Sequence, residues 1–194
     1  MGAQILPPDK RRNAKGTLSR TRWLVAALGV LQREGIGGVR VERLARELAV
    51  TKGSFYWHFK DRADLLTSML EYWDQQSTRI VTDNPAMQHS DPKKRLRRLM
   101  EMIHRNKLAR YELAIRAWAD HDPAVARVRR RVVKERYEFV RGLFAQMGFR
   151  EDELDMRTRL FVAYEAWHET VPDDGSNAKP MRLLKLRHRL LTSL

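Results

Sequence analysis

Between residues 51 and 66 the chain reads TKGSFYWHFKDRADLL, and its polar and aromatic side chains suit a surface that touches another molecule. Phe55 and Phe59 stand four apart and share one face of a helix, the face that packs inward. Lys52, Ser54, Tyr56, Trp57 and His58 are left for the remaining faces, and a helix this short has no room to bury so many rings. Thr51 suits the N-cap, where a hydroxyl accepts from an otherwise unpaired first-turn N–H. Gly53 lets the backbone approach a second surface, and free N–H groups at a helix start favour a phosphate. Such groups hydrogen-bond and neutralise charge. The expectation is a helix over 52–58 that enters a DNA groove, with Tyr56 donating to a phosphate oxygen along its wall. The blander alternative packs Trp57 and His58 on the next helix as ordinary surface residues.

Positioning that helix requires neighbours, and the flanking sequence supplies them. Trp23, Leu24, Ala27, Leu28 and Leu31 form one amphipathic stripe, which predicts a helix from just after Ser19 to Glu34. Gly35 ends it, and Gly37-Gly38 make a flexible connection. Val41, Leu44, Ala45 and Leu48 are the inner face of a second, short helix. Two short helices joined by three or four residues, backed by a longer one, make a helix-turn-helix. Asp61 caps a fourth helix, and Asp64 stands near capping-box spacing. This helix continues through Leu65, Met69 and Trp73 and fades before Asn84-Pro85.

Five further helices are expected: one opened by Pro92, then about 108–119, one from Pro123 to before Gly148, about 151–171, and about 179–192. No alternating strand pattern and no repeat occurs. The fold class is therefore all-α, about nine helices. A basic arm at 1–17 is read as disordered, with Lys10, Arg11, Arg12 and Lys15 able to follow a phosphate backbone. The helix-turn-helix head occupies 18–63 (motif about 40–59), and a long helix joins it to a helical ligand-binding and dimerisation domain over 64–194.

Composition narrows the partners. Lys and Arg number 38 against 24 Asp and Glu, for a formal charge of +14, which implies a polyanion such as nucleic acid or an anionic membrane surface. No run of about 20 apolar residues spans a bilayer, no secretory signal is visible, and there is no cysteine. The expectations are a cytoplasmic protein, no membrane partner and no thiolate metal site. His104, His121, His168 and His188 form no i, i+4 pair, so no metal is expected. Neither a phosphate-cradling glycine loop nor a nucleophile elbow nor a zinc-protease helix is present. The expectations are no enzyme activity and no cofactor.

The elements from the first-helix stripe to Gly35, then Val41-Glu42-Arg43-Leu44-Ala45, then residues 50–60 (VTKGSFYWHFK), resemble the TetR family of bacterial transcriptional regulators over about 19–73. The resemblance implies a homodimer whose variable helical domain binds a small-molecule effector and whose two heads bind double-stranded operator DNA. It implies DNA contacts at Lys52, Gly53, Ser54, Tyr56, Trp57 and His58, joined by Thr51, with Lys60 beside a phosphate. Arg40 and Arg43 are assigned to phosphates as well. One departure is that Val39-Arg40 stand where the family usually has a Ser or Thr cap for helix 2, a loss of about 1 kcal/mol. Glu42 sits where some members reach a base; it either accepts from a cytosine amino group or points away.

Outside the head, Trp118, Tyr164, Trp167 and His168 either line an effector cavity or belong to the core. Leu160, Tyr164, Leu183, Leu184, Leu190 and Leu191 are assigned to a dimer interface, since an apolar stripe on a terminal helix needs a partner. The basic run Arg127, Arg129, Arg130, Arg131, Lys134 and Arg136 is read as a solvated helix face in preference to a second DNA surface. The reading reached is a ligand-responsive regulator, a repressor. The rival is a helical small-molecule- or partner-binding protein with a weak or non-specific DNA-binding head.

Overall fold

A computed structural model describes residues 19–88, 91–167 and 180–193. The basic arm, His168 and the turn at 172–175 lie outside them. Helix α1 (Arg20–Glu34) buries Trp23, Leu24, Ala27, Leu28 and Leu31, as the stripe predicts. Its C-cap Gly35 has φ 70°, a conformation that favours glycine. A 3₁₀ turn (Ile36–Gly38) follows, and it runs so close to α1 that a Cβ on Gly38 would lie 2.7 Å from Glu34 Cβ. Helix α2 (Val41–Glu47) and helix α3 (Lys52–Tyr56) come next. Between them Ala49 takes φ 54°, a left-handed conformation that is costly for a residue with a Cβ.

Helix α4 begins as Arg62–Asp74, passes through a π-helical turn at Gln75–Arg79 and ends as Ile80–Thr82. Asp61 accepts from the Asp64 N–H at 2.8 Å, and Asp64 accepts from the Lys60 N–H at 2.9 Å, so one first-turn donor and one donor just before the helix are satisfied, close to a capping box. Helix α5 (Pro92–Asn106) is capped by Asp91, which accepts from Lys93 and Lys94 N–H with Pro92 at the first helical position. Helix α6 (Glu112–Ala119) starts later than its apolar residues suggest, because residues 107–111 are turns and Lys107 is left-handed at φ 49°. Helix α7 (Pro123–Gln146), helix α8 (Glu151–Trp167) and helix α9 (Pro180–Thr192) complete the chain. Counting α4 as one helix gives nine among the described residues, with no strand.

Contacts divide the chain into two units, 1–74 with 113–128 and 75–112 with 129–194. This division differs from a single cut after residue 63, since part of the later sequence groups with the head. In the first unit Trp23, Phe55, Phe59, Leu44 and Leu65 are fully or nearly fully buried. Phe55 meets Trp23 edge-on at 5.4 Å and stacks with Phe59 at 5.2 Å. Burying an aromatic of this size contributes roughly 1.5–3 kcal/mol, so α3 is held by its inner face although it is too short to be stable alone. In the second unit the core joins Leu96, Leu99, Met100, Phe144, Phe161 and their neighbours. Arg157 closes the end of α9 by donating to the Leu190, Leu191 and Ser193 carbonyls at 2.9–3.1 Å.

Candidate nucleic-acid interface and ligand cavity

With Phe55 and Phe59 turned inward, α3 presents Lys52, Gly53, Tyr56 and Trp57 to solvent. Tyr56 is 61% exposed and Trp57 82%. Trp57 is thus not packed on α4, and two large aromatics standing free beside cationic groups need a partner to justify their exposure. His58 is half-buried with its ring centroid 6.3 Å from that of Phe59, while Lys60 is exposed. Arg62, which sequence reading passed over, donates to the Val39 and Ile36 carbonyls at 2.7 and 3.0 Å. It ties the start of α4 to the turn before α2 and so fixes the helix-turn-helix on its support.

Several assigned residues sit differently from expectation. Thr51 occupies the N-cap in an extended conformation, but its hydroxyl makes no capping bond. The Ser54 hydroxyl oxygen is buried with no hydrogen-bond partner, because Ser54 neighbours the inward Phe55; it does not face outward with Tyr56. Arg43 bridges Glu34 at 2.8 Å and Glu47 at 2.7 Å, and its hydrogen bond to Glu34 holds its pKa above the usual value. A phosphate would have to compete with both carboxylates. Arg40 is the N-cap of α2 without a side-chain capping bond, its Nε donating to the Gly37 carbonyl at 2.8 Å. Glu42 pairs with Lys52 at 2.8 Å, and this hydrogen bond lowers the Glu42 pKa and raises that of Lys52. In the unbound head Glu42 therefore points across to the start of α3.

The second unit contains a cavity of about 380 Å³, within the size range of small-molecule sites. Its walls include Val81, Leu99, Ile103, Val140, Phe161 and Trp167. Trp167 is the one assigned aromatic that lines it among the described residues. Tyr164 instead borders a shallow groove with Met156, Leu160 and Leu190. Trp118 is 5% exposed and groups with the head unit; it does not line this cavity.

The basic run on α7 departs from a plain solvated face. Arg131 does pair with Glu135 on the surface, but Arg129 and Arg136 turn into the cavity wall. Arg136 contacts Glu112 at 2.5 Å and donates to the Thr78 and Ser77 hydroxyls at 2.7 Å each. It thereby holds the π turn of α4. The leucines of α9 also divide: Leu183 and Leu190 are exposed, but Leu184 and Leu191 are buried at 6% and 8% in the chain's own core. Leu184 therefore serves the chain's own core, while Leu191, mostly buried there, also borders the shallow groove with Leu160 and Leu190. Among the described residues no cluster of metal-ligating side chains forms, and no helix is long and apolar enough to cross a membrane.

A short, exposed, basic and aromatic helix, braced as the second member of a helix-turn-helix, has the chemistry of a surface that contacts a polyanion. Residues 24–69 match the family model described as bacterial regulatory proteins, tetR family, so over this stretch the chain is similar to that family. It is 28% identical over 82 residues to the transcriptional regulator AcrR of Shigella flexneri, covering 42% of this chain and 38% of that protein. With SrpR of Pseudomonas putida it shares 31% identity over 61 residues, 31% of this chain and 29% of the relative. The matches thus span well under half of these relatives. Solved structures extend the likeness in fold. A Rhodococcus transcriptional regulator superposes with TM-score 0.67 at 18% identity, covering 90% of this chain and 94% of the other. The TetR-family regulator PfmR of Thermus thermophilus gives 0.64 at 19% identity, covering 88% and 97%. A regulator from Saccharomonospora viridis, solved in complex with choline, gives 0.66 at 18% identity, covering 89% and 92%.

Proposed function

We propose that this chain is a ligand-responsive transcriptional regulator, a repressor, that binds a roughly palindromic operator as a homodimer. The observation that carries the reading is α3, whose buried Phe55 and Phe59 leave Tyr56 and Trp57 exposed beside Lys52. Set in a major groove, that surface places Tyr56 and Lys52 near phosphates and Trp57 against base edges or sugars. The two heads of a symmetric dimer meet half-sites about one turn of duplex or a multiple apart. The cavity of the second unit supports an effector, and the choline-bound regulator of the same fold shows that a small molecule can accompany this architecture.

Selection of bound sequences from a random duplex pool tests the reading. The expected result is an inverted repeat. Affinity for it should fall by several orders of magnitude from low to moderate salt, as neutralising about 6–10 phosphates requires. Tyr56→Ala and Trp57→Ala should each weaken binding while the circular dichroism spectrum stays unchanged, since both side chains are exposed. Recovery of unrelated sequences with equal affinity would favour the rival, a helical binding protein with a non-specific head. The missing side-chain cap of α2 is the observation on that side.

A further inference from the structure

The charges around the cavity are unequal once their pairings are resolved. Two carboxylates line it, Glu112 and Glu165. Arg136 neutralises the first at 2.5 Å, and Arg187 neutralises the second at 2.6 Å. Arg129 and Arg159 also line it, and among the described residues neither has a carboxylate partner. Arg129 is half-buried, and its Nε is buried with nothing to donate to. A buried, unanswered donor on a cation is costly. Arg159 is exposed and stands at the cavity's rim.

We infer that the cavity takes an amphiphilic monocarboxylate, its anionic end on Arg129 with Arg159 at the rim and its apolar body among Val81, Leu99, Ile103 and Phe161. This rests on the effector reading above and specifies its ligand class. A carboxylate matches the planar guanidinium and supplies the acceptor that Arg129 Nε lacks. A cationic amphiphile would meet two arginines that have no carboxylate partner among the described residues, and a neutral one would leave that donor unanswered. Size limits the body. At about 30 Å³ per heavy atom, the share of a water in the liquid, 380 Å³ holds on the order of a dozen heavy atoms. That corresponds to a medium-chain fatty acid or an aryl-alkanoate.

Titration calorimetry on the full chain with decanoate, decanol and decylamine, each below its micelle concentration, reads the proposal. Decanoate should bind most tightly and decylamine least. Arg129→Gln should weaken decanoate about tenfold or more, the usual weight of a charge-assisted hydrogen bond, and leave decanol unchanged. The decanol measurement shows that the cavity has kept its shape. Should Arg129→Gln fail to fold, Arg159→Gln and Arg129→Lys replace it. The first should weaken decanoate by a smaller factor because Arg159 is exposed, and the second should retain preference for decanoate over decanol. Equal affinity for decanoate and decanol in the natural chain, tighter binding of decylamine, or indifference to Arg129→Gln would overturn the inference. Affinity for the selected duplex, measured with and without saturating decanoate, separates the two claims. Arg129-dependent binding that leaves DNA affinity unmoved keeps the ligand class and removes the effector role. Failure of all three probes to bind removes both.

Discussion

Glu42 and Lys52 hold each other at 2.8 Å across the helix-turn-helix while both are more than half exposed. An exposed pair of this kind adds little to stability, so its weight lies in DNA binding. Lys52 stands where the free N–H groups at the start of α3 favour a phosphate, and Glu42 presents a negative charge to the same phosphate. The pair thus penalises backbone contact that is not matched by contacts elsewhere. Glu42→Gln should tighten binding to random duplex by a few-fold and steepen its salt dependence by about one counterion, the contribution of one released lysine. Fluorescence anisotropy across a salt series checks this. Should the variant instead lose affinity only for the selected operator, Glu42 reads a base. The pH dependence follows from the pKa directions. The lowered Glu42 pKa keeps the pair formed above the ordinary carboxylate range, and it opens only as pH falls through the depressed value. At neutral pH the penalty on Lys52 is therefore fully present.

At the scale of elements, much was legible because helical spacing and caps are local. The stripe of α1, the inward Phe55 and Phe59, and the Asp91-Pro92 and Asp122-Pro123 starts all follow from adjacent residues. The break in α4 was not legible, since a π turn is a shift in backbone register set by what packs against it. Here the agent is Arg136, distant in sequence, which bonds Ser77, Thr78 and Glu112. Arg43 reads as a phosphate ligand in sequence yet is taken up by Glu47 one turn along α2 and by Glu34 at the end of α1. Glu112 is 6% exposed, so removing its cation leaves a buried charge. Arg136→Met should lower stability by about 3 kcal/mol, the lower end for breaking a buried pair because Arg136 retains some exposure. Arg136→Met with Glu112→Met should regain much of that loss, as two apolar side chains need no partner. Urea unfolding of the three proteins gives the comparison. A double variant as unstable as the single one would mean that the hydroxyl bonds to the π turn carry the stability.

For the whole molecule the unresolved pattern is a doublet. Leu183-Leu184 and Leu190-Leu191 each place two equally apolar side chains about 100° apart on one helix, and hydrophobicity alone cannot say which belongs to the chain's own core. Packing decides it: Leu184 and Leu191 are buried, whereas Leu190 is 65% exposed and Leu160 on α8 54%. Leu160 and Leu190 border one groove with Met156 and Tyr164, and Leu183 and Leu186 are also exposed on α9; grouped apolar side chains of this kind can close a symmetric dimer. Leu160→Asp with Leu190→Asp should therefore yield a folded monomer, with native circular dichroism and half the mass by sedimentation. Its affinity for the inverted repeat should fall toward that of a single head, because the second half-site no longer benefits from the effective concentration of a linked partner. Leu184→Asp should behave differently, unfolding the second unit because an ionised carboxylate enters an apolar core. The contrast between these variants separates interface from core. If the exposed pair unfolds the chain, or leaves it dimeric on DNA and in solution, the two copies meet through another face.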